Sequence, residues 1–455
     1  MERQKVPFVP RTEGEVAMYV CGPTVYDVPH LGHGRTALTY DVIRRYLEWT
    51  GWNVTVASNV TDIDDKIINR AESEGRTEPE VAAEFTKAYD EQMERLDVLA
   101  AESRPHATQF IEGMIGIIAE LVELEAAYVV PNKGVYFSVE GLSDYGRLAG
   151  RDLDQLLEDA GQRVDVDAEK RSPLDFALWK SAKAGEPSWD TPWGSGRPGW
   201  HTECVAMSLS ALGPGFDIHG GGDDLCFPHH QNEWAQVTAT GEPFARYWVH
   251  SAMVNVAGEK MSKSLGNFTN LAEAIDTAGP RALRLLAMQT HYRRAMEMGR
   301  EALMAASTAI DRLDAFRRRM AAADIDLTDD ETDSSAVAAF NAAMEDDFGT
   351  PIALDHTFSL VRGANSALDN GDLTTAGLQA RTALMLFSVL GIEIGAADQT
   401  TVSGIDDAEI EKLIEQRKEA RGGKDFATAD QIRDQLADAG VILEDTPAGV
   451  VWHRT

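Results

Sequence analysis

Long apolar segments are missing from this chain. No run of about 18 apolar residues occurs, as a membrane-spanning helix would require. The first five residues lead into Pro and Val without the apolar core of a signal peptide. Cysteine is also scarce, since three in 455 residues do not make a disulfide framework. We therefore expect a cytoplasmic protein without membrane association, in which thiols more often bind metal or take part in catalysis.

Positive charge is the second shortage. The chain has 42 Lys and Arg against 74 Asp and Glu, a net charge of −32, and only 12 of the basic residues are Lys. Such a surface on average repels phosphate, whereas RNA-binding proteins usually carry a basic patch. Any nucleic-acid partner must therefore meet local basic clusters, of which three stand out: Arg293-Arg294, Arg317-Arg318-Arg319 and Arg417 to Arg421.

The first half of the chain alternates between strand-like and helix-like runs, which is typical of a parallel sheet with crossover helices. A stretch rich in Gly, Pro, Asp and Trp, residues 126–198, interrupts the pattern as an insertion. We expect one nucleotide-binding domain in two halves, 1–125 and 199–256. The expected strands are Val16–Cys21, Asn53–Asn59, Gly215–His219 and Tyr247–Val256, and the expected helices are Thr36–Trp49, those between Ile63 and Leu99, Ala107–Leu124, Thr202–Leu212 and His229–Thr240.

The second half of the chain is predicted to be helical. After the basic loop, Lys260–Ser264, apolar residues recur at spacings of three and four in helices expected at Leu271–Thr277, Arg281–Gln289, Arg300–Ala322, Ser335–Met344, Pro351–Leu368 and Thr375–Leu390. They fall in two stretches, 257–310, which includes the loop, and 311–394. A polar linker follows near 395–407. The remainder, 405–455, is predicted to form a small module of two helices and a hairpin-like tail.

Two short segments roughly 230 residues apart contain side chains suited to ATP. The first signature, Pro29–His33, supplies His30, Gly32 and His33 next to a predicted helix. Its imidazoles and backbone N–H groups would meet phosphate at a helix N-terminus. The second signature, Lys260–Ser264, follows a strand-like run and supplies Lys260, Ser262, Lys263 and Ser264.

In this order and at this distance, the two segments resemble the ATP-handling signatures of class I aminoacyl-tRNA synthetases. The adenylation that this resemblance implies would require both segments. Attack of a carboxylate on the α-phosphate of ATP builds negative charge, which fixed donors must stabilise.

A possible metal site is indicated by residue type. His229 and Glu233 are four apart on a predicted helix and share a face. Cys21 ends the first predicted strand, and Cys204 lies in the helix that opens the second half. Two thiolates, an imidazole and a carboxylate suit Zn²⁺, but spacing alone does not show that they converge. The rival ligands nearby are His219, Cys226 and His230, of which Cys226 is interpreted as a packing residue.

The motifs together resemble cysteinyl-tRNA synthetase over nearly the whole chain. The segments that carry the resemblance are Cys21–Asp27, His30–Thr36, Asn59–Lys66, Gly199–Cys204, Asp217–Gly222, Phe227–His230, Lys260–Asn267 and the Trp452-containing tail.

The resemblance implies an α/β fold of the class I type: a Rossmann-type parallel sheet with an insertion, an all-helical bundle and a small anticodon-binding module. It implies one Zn²⁺ held by Cys21, Cys204, His229 and Glu233, which selects the substrate thiolate. It further implies that ATP with Mg²⁺ and L-cysteine react, that cysteine tRNA is the partner of a monomeric enzyme, and that no editing domain is needed. The residues implied for ATP are His30, Gly32, His33, Lys260, Ser262, Lys263 and Ser264, and those implied for cysteine are Thr24, Trp200 and His219.

Two other functions remain open from the sequence. One is the cysteine ligase of mycothiol synthesis, which joins cysteine to an amino sugar; the segment His33–Thr36 and the C-terminal module argue against it. The other is a catalytically silent RNA-binding paralogue. The loss of a signature residue would support it, but every ATP and zinc position is filled. The chain departs from the family pattern at Gln231, which could alter the surroundings of His229, at Trp234, and in a short N-terminal segment.

Overall fold

The structure, a computed structural model, describes residues 5–152, 155–156, 170–256, 259–260, 270–395, 407–423, 425–439, 441–446 and 449–454. Along the chain, an α/β part with an inserted antiparallel sheet comes first. A helical part follows it, and a small module of two helices and a hairpin comes last. The fold class expected from the sequence is confirmed.

A parallel sheet of four strands forms the centre of the α/β part. Its order is β2–β1–β7–β8, with β1 at Glu15–Val20, β2 at Asn53–Ser58, β7 at Ile218–Gly222 and β8 at Tyr247–Ser251. Five of the six residues of β1 are buried, as a central strand covered on both faces requires. Val20 pairs with Gly220, so the carboxyl ends of β1 and β7 lie side by side. In sheets of this kind ligands bind at that edge.

Six longer helices of the described residues accompany this sheet. They are α1 at Leu31–Trp49, α2 at Asp65–Glu74, α3 at Glu78–Arg95, α4 at Ile111–Glu123, α5 at Trp200–Leu212 and α6 at Gln231–Thr240. The expected helix start at Thr36 was too late, and that at His229 was two residues too early. The region from Ile63 to Leu99 divides at Gly75, whose φ of 66° ends α2.

The expected strands at Gly215–His219 and Tyr247–Val256 need correction. β7 begins at Ile218 and continues through three glycines, because Gly220 and Gly222 pair with Val249 and Ser251 of β8. Glycine has low strand propensity, which hid this register in the sequence. The second expected strand breaks after Ser251.

Past that break, the chain enters a separate small sheet. β9 at Val254–Val256 pairs in parallel with β11 at Met296–Glu297 and antiparallel with β10 at Glu259–Lys260. Lys260 of the second signature therefore ends a strand of this small sheet. The rest of that signature, Met261 to Ser264, lies outside the described residues.

The inserted segment contains a four-stranded antiparallel sheet in the order β3–β4–β5–β6. The strands are Ala127–Val130, Gly134–Phe137, Phe176–Ser181 and Gly196–Pro198. Its apolar face packs against Trp234 and Ala235 of α6.

The helical part consists of six helices in its described residues. They are α7 at Leu271–Ala278, α8 at Pro280–Gln289, α9 at Arg300–Ala322, α10 at Ser334–Glu345, α11 at Thr350–Asp369 and α12 at Leu373–Val389. Their apolar core is continuous with α1, since Leu38 and Val42 belong to the same cluster as Leu285 and Phe387. None of the helices in the described part of the chain has the length and apolarity needed to span a membrane.

The C-terminal module has its own small core. Helices α13 at Asp407–Gly422 and α14 at Phe426–Asp438 pack Ile410, Leu413 and Leu436 together. The hairpin β12–β13, Val441–Thr446 with Gly449–Arg454, completes it. The expected linker, apart from its ends, lies outside the described residues.

A buried ion pair joins α1 to the helical part. Arg284 of α8 is 1% exposed and donates to the Asp41 carboxylate, which also accepts from Arg45 Nε at 2.7 Å and from the Leu99 amide at 2.8 Å. A second donor of Arg284 reaches the Leu390 carbonyl at 3.4 Å, beyond the end of α12. One carboxylate thus holds three segments together.

We expect Asp41→Ala to lower the free energy of unfolding by about 3–5 kcal/mol, because it leaves the Arg284 guanidinium buried without a counter-ion. The matched control is Asp346→Ala, which removes an ion pair with Lys5 whose side chains are 68% and 59% exposed. That control should change stability by less than about 1 kcal/mol. Urea unfolding of the full chain measures both, and equal losses would contradict this account of the junction.

Candidate active site

The first signature forms the N-terminus of α1. His30 caps the helix: its Nδ1 accepts from the Gly32 amide at 3.1 Å and the His33 amide at 3.4 Å. His33 completes a reciprocal box, because its Nδ1 accepts from the His30 amide at 3.2 Å. The two rings stack with centroids 3.8 Å apart. Both imidazoles therefore carry their proton on Nε2.

Burial keeps both rings neutral. It lowers the pKa of His30 to about 4 and that of His33 to about 3, the latter with help from the positive charges of His30 and Lys66. At neutral pH each ring is therefore an Nε2–H donor without net charge. This arrangement corrects one expectation, since the amides of Gly32 and His33 are already bound by His30 rather than open to phosphate.

Four possible metal ligands converge beside this helix. Cys21 follows the carboxyl end of β1, and Cys204 lies in α5. His229 precedes α6 in a wider helical turn, Cys226–His230, and Glu233 lies in its first turn. All four are buried, and their ligand atoms lie within 4.8 Å of one another. The structure thus brings together the set expected from the sequence.

The local chain path explains how Cys21 reaches this place. Its neighbour Gly22 passes so close to the next strand that a Cβ would stand 1.7 Å from the Asn59 carbonyl oxygen. The Gly22 amide donates to Asn59 Oδ1 at 2.8 Å. Any larger residue at position 22 would push Cys21 away from the cluster.

The spacing of the ligand atoms fits Zn²⁺. The two sulfurs are 3.8 Å apart, and a tetrahedral site with Zn–S bonds of about 2.3 Å has an S–S separation of about 3.8 Å. Glu233 Oε1 lies 3.8 Å from Cys21 Sγ and 3.0 Å from His229 Nε2. One carboxylate oxygen therefore faces the same point as a sulfur and an imidazole nitrogen.

The protonation of the cluster also fits a cation. Burial raises the pKa of Cys21 and of Glu233, and burial lowers that of His229. For Cys204, the hydrogen bond with Cys21 lowers the pKa, but burial and the charge of Glu233 raise it overall. A divalent ion reverses the preference of the acidic groups, because it stabilises thiolates and carboxylates directly.

A second group shares two of these ligands. Cys21, His219, His230 and Glu233 also lie within 4.8 Å of one another, so the rivals expected from the sequence are present. His219 Nε2 lies 2.8 Å from Glu233 Oε2, however, a contact typical of a partner that orients a ligand. His230 Nδ1 lies 2.8 Å from His250 Nε2, and its Nε2 lies 3.3 Å from Cys21 Sγ. The group with two sulfurs suits Zn²⁺ better.

The cluster adjoins a cleft of about 810 Å³, a size that holds a small-molecule substrate. Its walls include Cys21, Thr24, Trp200 and both signature histidines, His30 and His33. Trp200 stacks on the His229 ring with centroids 4.1 Å apart. Thr24 and Trp200 thus line the cleft next to the cluster.

The role of His219 in binding cysteine stays a prediction, and the structure places this residue beside the cluster. It is completely buried behind Glu233 and stacks on Trp248 at 4.6 Å, and it is not among the residues that line the cleft. Gln231 departs from expectation, since its Oε1 accepts from the Leu148 amide at 3.0 Å. This hydrogen bond joins Gln231 to the inserted segment rather than to His229.

Three residues of the site were missed in the sequence. Lys66 lines the cleft, His201 Nδ1 lies 2.9 Å from His229 Nδ1, and His250 contacts His230. Lys66 and His201 stand inside motifs that carry the family resemblance, which was the available signal. His250 lies on a strand with no such motif around it.

We expect His30 and His33 to remain neutral Nε2–H tautomers down to about pH 5. Their folded-state pKa values lie below the usual value of about 6.5, so the stability they contribute is present above pH 6.5 and is lost as pH falls towards 4 and 3. Nitrogen NMR of ¹⁵N-histidine-labelled protein measures this, with His33→Asn for assignment. A titration of either ring near pH 6.5 would contradict the capping geometry.

Comparison with known protein families agrees with this site. Residues 7–308 match the tRNA synthetases class I (C) catalytic domain, residues 339–394 the DALR domain, and residues 407–452 the cysteinyl-tRNA ligase anticodon binding domain.

Similar proteins and solved structures extend the comparison. The chain is 45% identical to a cysteine–tRNA ligase of Acinetobacter baumannii (strain SDF), over 100% of this chain and 98% of that protein. It is 44% identical to that of Nitratidesulfovibrio vulgaris, over 99% and 98%. Methionyl-tRNA synthetase of Mycobacterium tuberculosis in complex with methionyl-adenylate shares the fold, with a TM-score of 0.59 and 13% identity over 83% of this chain and 90% of that chain. The chain belongs to the cysteine–tRNA ligase family of class I aminoacyl-tRNA synthetases.

Proposed function

We propose that this enzyme activates L-cysteine with ATP to cysteinyl-adenylate and transfers the cysteinyl group to the 3′ end of cysteine tRNA. The observation that carries the proposal is the buried cluster of Cys21, Cys204, His229 and Glu233 next to a cleft that also presents His30 and His33. The full-length similarity to cysteine–tRNA ligases supports it.

The four clustered residues would hold one Zn²⁺. When bound, this ion supplies a site for the thiolate of cysteine, which the hydroxyl of serine fills poorly because it is a harder group with a much higher pKa. Trp200 and Thr24 would contact the rest of the amino acid. Glu233 is fixed by His219, and His229 faces His201, so the set is held in place before substrate arrives.

His30 and His33 would donate from Nε2 to the phosphates of ATP, which reacts as its Mg²⁺ complex. Because both rings are neutral, they stabilise the developing charge as hydrogen-bond donors rather than as cations. The positive charge is proposed to come from Lys260 and Lys263, with Ser262 and Ser264 also contacting ATP. Of these, Ser262, Lys263 and Ser264 lie outside the described residues. Gly32 lines the cleft and would contact ATP through its Cα, since its amide is bound by His30.

The second step is attack of a ribose hydroxyl of the tRNA on the adenylate. It requires positioning more than a dedicated base, so no base is assigned. The helical part would hold the tRNA stem, and the C-terminal module the anticodon. Because the net charge is −32, tRNA binding depends on local basic clusters and should weaken steeply with salt. We also propose that the enzyme acts as a monomer in the cytoplasm.

Neither rival is favoured. The amino-sugar ligase has no use for an anticodon-binding module, yet residues 407–452 match one. A catalytically silent paralogue would not need a metal site, yet the four ligand atoms of Cys21, Cys204, His229 and Glu233 lie close together.

We expect cysteine-dependent ATP–pyrophosphate exchange and charging of cysteine tRNA, with serine at least about 10⁴-fold poorer because discrimination by ligand chemistry exceeds that of a pocket contact. Both reactions are measured with the zinc-loaded enzyme. Exchange without charging, together with an amino-sugar product, would replace this function by the ligase. The absence of both activities would favour the silent paralogue.

We expect Cys204→Ala to reduce bound zinc from about one ion per chain to well below half, because removal of a zinc ligand leaves three. Metal content by mass spectrometry after chelator dialysis measures it, and Cys226→Ala is the matched control. Cys226 belongs to neither ligand group and contacts the Leu148 carbonyl at 3.7 Å, so its variant should keep the metal. Loss of zinc from the control alone would reassign the ligands.

A further inference from the structure

Arg35 is a buried cation in the second turn of α1. The residue is only 1% exposed. Within the described residues, its hydrogen bonds all go to backbone carbonyls. The acceptors and distances are Arg294 at 2.6 Å, His291 at 3.3 Å, Tyr292 at 3.4 Å and Met253 at 3.4 Å. One guanidinium therefore connects three parts of the chain.

Two of the acceptor carbonyls lie just before strands of the small sheet. Met253 immediately precedes β9, and Arg294 lies two residues before β11. These two strands pair in parallel, and β9 also pairs with β10, which ends at Lys260. The helix that bears His30 is thus joined through Arg35 to the sheet that bears Lys260.

The helix that follows the second signature also rests on α1. The Leu271 amide, at the start of α7, donates to the Pro29 carbonyl at 3.0 Å. Gly34 permits this approach, since a Cβ there would stand 2.7 Å from Leu271 Cδ1. Described elements on both sides of the second signature therefore meet the first two turns of α1.

The contacts of Arg35 fit a residue that holds backbone segments in place. In the described part of the chain no carboxylate forms an ion pair with it. Burial lowers its pKa to about 10, so it is still charged at neutral pH. A buried charge is costly unless its hydrogen bonds are made. Nη1 and Nη2 of Arg35 donate to these carbonyls, whereas its Nε has no hydrogen-bond partner. Only the planar fork of arginine reaches carbonyls in several directions.

We propose that Arg35 is a positioning residue for adenylate formation, which sets the small sheet carrying Lys260 against the helix that carries the signature histidines. The inference rests on the proposed function and adds to it a residue that touches neither ATP nor cysteine. Its effect should therefore fall on the rate of the first step and leave zinc and cysteine binding intact.

The test compares Arg35→Met and Arg35→Lys with the wild-type holoenzyme. We expect Arg35→Met to lower kcat for cysteine-dependent ATP–pyrophosphate exchange about 10- to 100-fold, the effect of misplacing reacting groups by about 1 Å. KM for cysteine and zinc content should stay within about twofold. Arg35→Lys should recover little, because a single ammonium keeps the charge but not the fork.

Hydrogen exchange reports on the sheet itself. The amides of Met296 and Met298 donate to Met253 at 3.2 Å and to Asn255 at 3.0 Å, and they should lose protection in both Arg35 variants. The matched control is Arg284→Met, which removes another buried guanidinium that contacts α1, through Asp41. It should lower stability while the exchange of these two amides stays close to wild type.

Three results would overturn the proposal: exchange activity of Arg35→Met within twofold of wild type, full recovery by Arg35→Lys, or equal loss of amide protection in the Arg284→Met control. If Arg35→Met does not fold, Arg35→Lys decides by the same two measurements. A wild-type enzyme without cysteine-dependent exchange would refute the proposed function, whereas the amide comparison would still test the link between α1 and the small sheet.

Discussion

The arrangement of this enzyme depends on one requirement: two thiols, an imidazole and a carboxyl group are buried together and must each have a partner. Three elements distant in sequence meet to satisfy it, the end of β1, helix α5 and the start of α6. Further imidazoles surround the cluster, so that Glu233 is bound on both of its oxygens. Cys21 of this cluster and Trp200, which stacks on His229, line the cleft. The chemistry of the proposed substrate site therefore comes from the cluster.

The ligand types could be predicted from the sequence, but their meeting could not. His229 and Glu233 share a helix face, which is a local property. Cys21 and Cys204 are 183 positions apart, and their contact depends on how β1 and β7 pair in the sheet. Periodicity does not predict such long-range contacts, so the expectation that the four ligands meet came from the family resemblance. The resemblance did not predict that His219 would be buried against Glu233, because a motif identifies a residue but not which neighbour its side chain contacts.

Element boundaries were predicted wrongly where a side chain or a neighbouring segment overrides the local helix or strand propensity. The start of α1 was missed because histidine is not a common capping residue, yet His30 caps it with Nδ1. The strand expected at Tyr247–Val256 breaks because Ala252 donates to Tyr292 and the chain moves to another sheet. The long helices of the second half were predicted well, since their apolar spacing is local and continuous.

The core shared by α1 and the helical part has a consequence for how the protein can be divided. Leu38 and Val42 of α1 lie in the same apolar cluster as Leu285 and Phe387, and Arg284 joins the two parts at their boundary. A fragment that stopped at the end of the parallel sheet would leave this side of α1 in water, and apolar surfaces of that kind promote aggregation. The parallel sheet with α1 and the helical part therefore share one core, and we expect neither to fold alone as it does in the full chain.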